Sequence, residues 1–466
     1  MKTIERAATI AQRWAETAPP TRAAVLTAVA DALDAAGPEL IPLADAETRL
    51  GAARLTGELA RTTFQLRLLA AEAAGGSTYD VRIDRADPGW PIGPRPDLRR
   101  YRTAIGPVLV FAASNFPFAF SVAGGDTAAA WAAGCPVIVK AHPGHPRLSR
   151  RVTDVAQQAL GPWAELLGLV EGESGGVAAL RHPAIAAAAF TGSVAGGLAL
   201  ARIAAERPVP VPFYGELGSV NPVLVTPAAA RARPEELAEG YAGSLTLGGG
   251  QFCTNPGLLF IPDTGPLVDL VAERLRALPA VEMLNERIAE GFLTGAERLG
   301  AIPGARRVVW PDGLAPRLLE LDLTGFLAHP EAAEECFGPL GVVVRYTRFA
   351  ELAPAVAALP GQLTTTLHAE PDDELLLTEL RKVLAARSGR VLWGGWPTGV
   401  AVTAAMQHGG PFPATTGPMS TSVGTASIER FLRPVAYQGW PGHLLPEPLR
   451  DDNPWGVPQR VSGPVG

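Results

Sequence analysis

The chain holds only three cysteines, Cys135, Cys253 and Cys336, in 466 residues. They are too few and too scattered for a disulfide framework, and no Cys-x-x-Cys pair occurs. A cytoplasmic, reducing location fits that usage. The seven histidines form no His-Glu-x-x-His pattern, so no dedicated metal site is expected. Basic charge is also in short supply. Forty lysines and arginines face 46 acidic residues, for a net charge of −6. Neither nucleic acid nor an anionic membrane surface is therefore an expected partner. No uninterrupted apolar run reaches about 18 residues, which argues against a membrane span. The opening MKTIERAATIAQRWAETAPP mixes charges and lacks the apolar core of a signal peptide. Neither G-x-G-x-x-G nor a Walker A stretch is present, so the generic dinucleotide fingerprints are missing.

What is present describes a globular protein. Hydrophobic residues make up 47% and charged ones 18%, and the length suggests two or three domains. From Pro20 to about Ala74 the chain reads as helices. Val25, Leu26, Val29 and Leu33 share one face, and Gly37 and Pro38 read as a stop. From Tyr79 to Arg102 prolines and alternation suggest extended, exposed strands or a linker. The pattern then turns α/β. GPVLVFAAS, CPVIVKAHP and IAAAAFTGS are buried-strand runs, each followed by a helical stretch. That alternation argues for a parallel sheet with crossovers. A second α/β stretch runs from about Glu235 to Gly399, and the tail is rich in proline.

Four short stretches carry candidate chemistry. In TLGGGQFCTNPG, Gly248, Gly249 and Gly250 precede Cys253. Glycines permit a close backbone approach or positive φ, and such a loop can aim a thiol at a substrate atom. A buried structural cysteine is the alternative. Cys135 and Cys336 stand in apolar, strand-like settings and read as core. In FYGELGSVNP, Glu216 follows a strand. It is either a general base, if burial raises its pKa, or a solvated loop residue. In FAASNFPFAF, Asn115 ends a strand. Its amide either faces the ligand crevice of an open sheet and holds an oxyanion, or forms a turn. In FTGSVAGG, Gly192 and Ser193 open a helix, where free N–H groups can hold a pyrophosphate. A plain tight turn is the alternative.

Taken in order, Asn115, the Lys140 strand, the Phe190–Ser193 turn, Glu216 and Cys253 resemble the aldehyde dehydrogenase superfamily over nearly the whole chain. EECFGP, residues 334–339, is similar to that family's Glu-Glu-x-Phe-Gly-Pro element. Four longer stretches resemble bacterial α-ketoglutaric semialdehyde (2,5-dioxovalerate) dehydrogenases and the NADP-dependent fatty aldehyde dehydrogenase. They are ASNFPFAFSVAGGDTAAAWAAGCPVIVKAHPGHP, SLTLGGGQFCTNPGL, MQHGGPFPATT and STSVGTASIERFLRPVAYQ.

The resemblance implies an α/β fold of three parts. A Rossmann-like cofactor domain takes residues 1–79 and 103–217, an α/β catalytic domain takes 218–420, and a β-strand oligomerisation arm with the tail takes 80–102 and 421–466. It implies a homodimer or homotetramer acting on a small-molecule aldehyde. Cys253 would attack the carbonyl, Asn115 and the Cys253 N–H would hold the oxyanion, and Glu216 would activate water against the thioester. Lys140 would contact the adenosine ribose, Gly192 and Ser193 the pyrophosphate, and Glu335 the nicotinamide ribose, with Phe337 beside the ring. Phe116, Phe120, Gln251, Thr254 and His408 would line the substrate pocket. Pro143 stands where many NAD-preferring members carry a glutamate, so NADP is favoured over NAD, with His142, His145 and Arg147 as nearby cations.

The expected substrate is α-ketoglutaric semialdehyde, with medium- or long-chain fatty aldehydes as the alternative and Phe116, Phe118 and Phe120 as tunnel walls. Arg430 and Arg433 are the candidate clamps for a distal carboxylate, and Trp393 and Trp396 either pack or line the pocket. Intact Cys253, Glu216 and Asn115 argue against a catalytically silent binding or scaffold protein. Glu216 favours water over coenzyme A as acyl acceptor.

Overall fold

The computed structural model describes residues 2–462, without the side chains of 372 and 374–376. Four helices come first, Lys2–Ala15, Pro19–Ala35, Gly37–Thr48 and Ala52–Gly75. The Gly37–Pro38 pair ends one helix and begins the next, because proline is tolerated in a first helical turn, where its missing N–H is not needed.

Three sheets follow. The first has five parallel strands, in the order Leu167–Val170, Val137–Lys140, Val108–Phe111, Ala187–Thr191 and Phe213–Glu216. Strand order reverses beside Val108–Phe111, and such a switch point opens a crevice at the carboxyl ends of the strands. The second has seven strands, in the order Arg306–Val309, Arg317–Asp322, Leu340–Tyr346, Leu258–Pro262, Val223–Val225, Gln362–His368 and Ser388–Trp393. Only Arg306–Val309 runs antiparallel to its neighbour.

Both large sheets are covered on both faces, and the pleat shows why the strands read as continuous apolar runs. Val342 and Val344 enter one core with Phe260, Phe292 and Leu380. Val343, between them, enters another with Tyr241, Leu259 and Val271. Likewise Val108 and Val110 pack with Trp14, Leu66 and Trp131, while Leu109 and Phe111 pack with Ile4, Ile138 and Leu180. A period of two with both faces buried favours apolar residues at successive positions.

The third sheet has four strands, in the order Leu432–Gln438, Leu98–Ala104, Val81–Asp84 and Gln459–Ser462. The two extended segments of the proposed arm thus pair with each other, antiparallel, from Leu432 opposite Ala104 to Gln438 opposite Leu98. Leu432–Gln438 is an edge strand with every residue exposed or half-buried. Cys135 is buried in the core before Val137–Lys140. Cys336 differs from the strand expected for it. It lies in a half-buried loop, its thiol 3.6 Å from the Phe292 carbonyl. Among the described residues no helix is long and apolar enough to cross a membrane.

Candidate active site

The glycines before Cys253 have a steric reason. Gly248, Gly249 and Gly250 take φ of +58°, +68° and +70°, a region that L side chains rarely adopt. A Cβ on Gly250 would fall 2.4 Å from the Gly338 carbonyl carbon. The loop therefore dives under residues 338–339 and rises again at Cys253. Two buried asparagines lock it there. Asn255 Nδ2 donates to the carbonyls of Gly250 (2.7 Å), Leu245 and Gly338 (both 3.2 Å). Asn221, itself at φ +47°, donates to the carbonyls of Cys253 (2.8 Å) and Asn255 (2.9 Å). Its own loop is held by Gln362, whose Oε1 accepts from Ser219 Oγ and the N–H of Val220 and Asn221. Sequence reasoning missed all three. The repeated Asn-Pro pair, at 221–222 and 255–256, was the available signal.

Glu216 ends its strand at the sheet edge. The segment 414–416 adds to that edge, with Thr416 N–H on the Gly215 carbonyl and Leu217 N–H on the Ala414 carbonyl. This carries His408 and Ser422 over Glu216. His408 Nε2 is 2.9 Å from Glu216 Oε1 and 3.5 Å from Cys253 Sγ. Ser422 Oγ donates to the other Glu216 oxygen. Ligand atoms of Glu216, Cys253 and His408 all lie within 4.8 Å of one another. His408, expected to line the pocket, thus touches both the thiol and the carboxylate.

The pKa shifts follow from this crowding. Burial alone would raise the Glu216 carboxyl, but the His408 charge and hydrogen bonds from His408, Ser422 and Cys253 outweigh it and hold the pKa low. The shift is the reverse of the burial-raised base that the sequence suggested. The Cys253 thiol is pushed well up by burial first, then by the charges of Glu216 and Glu335, with Arg61 opposing. A thiol in that setting needs a base to ionise it.

Asn115 follows Val108–Phe111 and donates Nδ2 to the Gln251 carbonyl at 3.0 Å, two residues before the thiol. One N–H of the amide remains for a ligand. The Cys253 backbone N–H has no hydrogen-bond partner among the described residues. Phe116 and Phe120 meet edge to face at 5.4 Å beside Val400, Val402 and Met406. Phe118 instead enters the main core. Gln251 spends its side chain on Gly248, Glu282 and Leu284, and Thr254 accepts the Gly399 N–H. These two side chains secure loops. Trp396 packs on Tyr241 and His368, and Trp393 is exposed. Arg430 is buried against Asp126 at 2.7 Å and Arg433 is exposed, so neither is a free clamp.

The family model for the "Aldehyde dehydrogenase family" matches residues 1–296. The chain belongs to the aldehyde dehydrogenase family. It is 47% identical to α-ketoglutaric semialdehyde dehydrogenase 2 of Azospirillum brasilense, over 95% of this chain and 87% of that one. It is 41% identical to the α-ketoglutaric semialdehyde dehydrogenase of Acinetobacter baylyi, over 97% and 88%. In fold it is similar to a Thermus 1-pyrroline-5-carboxylate dehydrogenase solved with NAD. The TM-score is 0.78 at 20% identity, covering 93% of this chain and 84% of that one. This aldehyde dehydrogenase is an NAD(P)-dependent oxidoreductase with the α/β fold of the family.

The crevice fits such a cofactor. Lys140 ends its strand half-buried, its stem so close to Gly176 that a Cβ there would sit 2.9 Å from the lysine Cγ. Burial lowers its pKa and the Glu173 charge opposes that. Ser193 caps the helix Val194–Ala205 by accepting the Gly196 N–H at 3.3 Å, which leaves other first-turn N–H groups for an anion. A Cβ on Gly192 would meet the Phe190 ring at 2.7 Å. Glu335 and Phe337 border a cleft with Ser219, Gly250 and Phe252. Burial raises the Glu335 carboxyl to about 7, against a hydrogen bond from the Ser219 backbone. Pro143 is exposed beyond the Lys140 strand.

The expected histidine cations are corrected. Burial drops His142 to about 3, and it also lowers His145. His145 Nε2 lies 2.9 Å from the Ala113 carbonyl. Arg147 is paired with Glu47. Both histidines are therefore neutral where a 2′-phosphate would need charge.

Proposed function

We propose that Cys253 is the nucleophile of this dehydrogenase and that it oxidises α-ketoglutaric semialdehyde to 2-oxoglutarate. The observation that carries the reaction is the buried contact of Cys253 with His408 and Glu216. The observation that supports the substrate is the end-to-end likeness to the Azospirillum and Acinetobacter enzymes.

The thiol proton passes to His408, whose Nε2 is 3.5 Å from Sγ, as sulfur attacks the aldehyde carbon. The negative oxygen is held by Asn115 Nδ2 and the Cys253 backbone N–H, and one such donor is typically worth about 10² to 10³ in rate. Lys140, Gly192, Ser193, Glu335 and Phe337 would hold NAD(P)+, which when bound would accept the hydride released from the C–H bond of the tetrahedral carbon. Cys253 then carries a thioester. Glu216, with His408, takes a proton from water, the hydroxide adds to the thioester carbon, and the carbon–sulfur bond breaks to release the acid and the thiolate. Phe116 and Phe120 flank the aldehyde chain.

Pro143 removes a carboxylate that would repel a 2′-phosphate, so NADP+ serves at least as well as NAD+. The edge strand Leu432–Gln438 and its partner Leu98–Ala104 form a ribbon suited to subunit pairing in a dimer or tetramer. Three units fit the sheets: a cofactor domain at 1–79 and 103–217, a catalytic domain at 218–420, and the ribbon with the tail at 80–102 and 421–466.

The test is a panel of aldehydes, the semialdehyde and straight-chain alkanals, each with NAD+ and NADP+, followed at the reduced-nicotinamide absorbance. The semialdehyde is expected to have the highest kcat/KM. A steady rise along the alkanal series that leaves the semialdehyde below hexanal would reject it.

A further inference from the structure

Helix Ala52–Gly75 carries Arg54, Glu58 and Arg61 at spacings of four and three residues, so they share one face. That face turns inward onto the aromatic wall. The Arg54 guanidinium is 5.1 Å from the Phe116 ring and 4.9 Å from Phe252. The Arg61 guanidinium is 5.8 Å from Phe116 and 5.4 Å from Phe120. Two cations therefore bracket the phenylalanines beside the thiol loop, with one buried carboxylate between them.

One oxygen of that carboxylate is already engaged, and the other, Oε2, is buried without a hydrogen-bond partner among the described residues. Glu58 Oε1 accepts the N–H of Phe118 at 2.8 Å and of Ala119 at 3.0 Å. Burial raises its pKa, and the two backbone hydrogen bonds and the charges of Arg54 and Arg61 oppose that. Arg54 has a task of its own, since Nη2 donates to the Asn115 carbonyl at 2.6 Å. Arg61 Nη1 is shut off from solvent without a hydrogen-bond partner among the described residues. Its charge is felt at both Cys253 and Glu216. The other arginine near Cys253, Arg390, holds the carbonyls of Pro397 and Gly399. A desolvated guanidinium with an open donor calls for an anion, and a carboxylate matches its fork.

We propose that Arg61 receives the distal carboxylate of the aldehyde substrate, with the Phe116 and Phe120 rings against the chain between the two functional groups. This rests on the semialdehyde reading above and gives it the recognition group that Arg430 and Arg433 do not provide. Arg54 acts as a positioning residue through Asn115.

The experiment compares kcat/KM for α-ketoglutaric semialdehyde and for pentanal, which has the same number of carbons and no carboxylate, in wild type, Arg61→Met and Arg61→Lys. The semialdehyde-to-pentanal ratio is expected to fall roughly 10- to 150-fold in Arg61→Met, the loss that removing one charged hydrogen bond brings. The fall should come through KM, and it should be smaller in Arg61→Lys, which keeps the charge without the fork. In wild type, added salt should raise KM for the semialdehyde and leave that for pentanal unchanged. If wild type itself favours pentanal, the substrate reading fails and this inference fails with it. If wild type favours the semialdehyde but both variants keep its ratio, only the Arg61 assignment is overturned. An equal fall for both substrates would also overturn it, placing Arg61 in support of the thiol instead.

Discussion

The imidazole Nε2 of His408 lies 2.9 Å from Oε1 of Glu216, and both side chains are buried. That pairing, with Cys253 Sγ 3.5 Å from the imidazole, divides two steps between two groups. His408 takes the proton from the thiol, and Glu216 later takes one from water. Cys253→Ala is expected to abolish aldehyde oxidation while cofactor binding persists, whereas Cys135→Ala stays active because that thiol is core. Activity of Cys253→Ala within about tenfold of wild type would sink the mechanism, since a general base alone gives about 10² to 10⁴.

Glu216→Gln separates the two steps. The Glu216 charge and hydrogen bond both raise the Cys253 pKa, so removing the charge increases the thiolate fraction at neutral pH. Iodoacetamide should alkylate the variant faster than wild type. Steady-state turnover should nevertheless fall, after a burst of reduced cofactor, because deacylation has lost its base. Slower alkylation together with a missing burst would show that Glu216 acts before the thioester forms.

Cofactor binding should be acid-sensitive through Glu335. Burial raises this carboxyl to about 7, and only its ionised form offers a full set of acceptor sites to ribose hydroxyls. As pH falls through about 7 the group takes up a proton, so the Kd for NAD+ should rise on the acid side. NAD+ is the right probe, since it lacks the 2′-phosphate that titrates near this range. Fluorescence titration across pH should show the trend in wild type and a flat profile in Glu335→Gln. The same slope in both proteins would remove Glu335 from the ribose site.

The nucleotide preference turns on charge near Lys140. Pro143→Glu should restore repulsion of a 2′-phosphate, on the order of a few kcal/mol before screening. It should move kcat/KM toward NAD+. Glu173→Gln should move it the other way, because Glu173 is the carboxylate whose charge reaches Lys140. A wild-type ratio more than about tenfold in favour of NAD+ would contradict the reading, since each tenfold step is only about 1.4 kcal/mol.

The parallel sheets were legible where strands are apolar at successive positions, as Val342, Val343 and Val344 are. The thiol loop was legible because only glycine suits the backbone at 248–250. Other features were hidden for a physical reason, namely distance along the chain. His408 meets Cys253 across 155 positions. Arg430 reads as a free cation until Asp126, 304 positions away, neutralises it. Burial also reverses local expectation, turning His142 neutral. Arg61 looks like an ordinary helix arginine in the sequence, and only the packing of Phe116 and Phe120 brings it to the site.

Asn221 is predicted to matter for both stability and rate, and two substitutions separate its contributions. Its amide fixes the carbonyls of Cys253 and Asn255, while its Oδ1 accepts from Thr364 at 3.1 Å and Ser219 at 3.0 Å. The residue is fully buried, so losing the amide strands several polar groups, at about 1–3 kcal/mol for each one left unpaired. Its φ of +47° adds a backbone term. Asn221→Gly removes the whole side chain, amide and Cβ together, and keeps that conformation without strain. Asn221→Ala removes the amide but leaves a Cβ in the left-handed region, without the local hydrogen bonds that let asparagine tolerate it, at about 1–2 kcal/mol more than glycine. Chemical denaturation should rank wild type above Asn221→Gly and Asn221→Ala lowest. Both variants should lose kcat more than cofactor affinity, because the freed Cys253 carbonyl lets the nucleophile and its N–H drift while the Lys140–Ser193 crevice is untouched. If Asn221→Gly keeps wild-type kcat, the asparagine serves only the fold and the thiol loop is held by Asn255 alone.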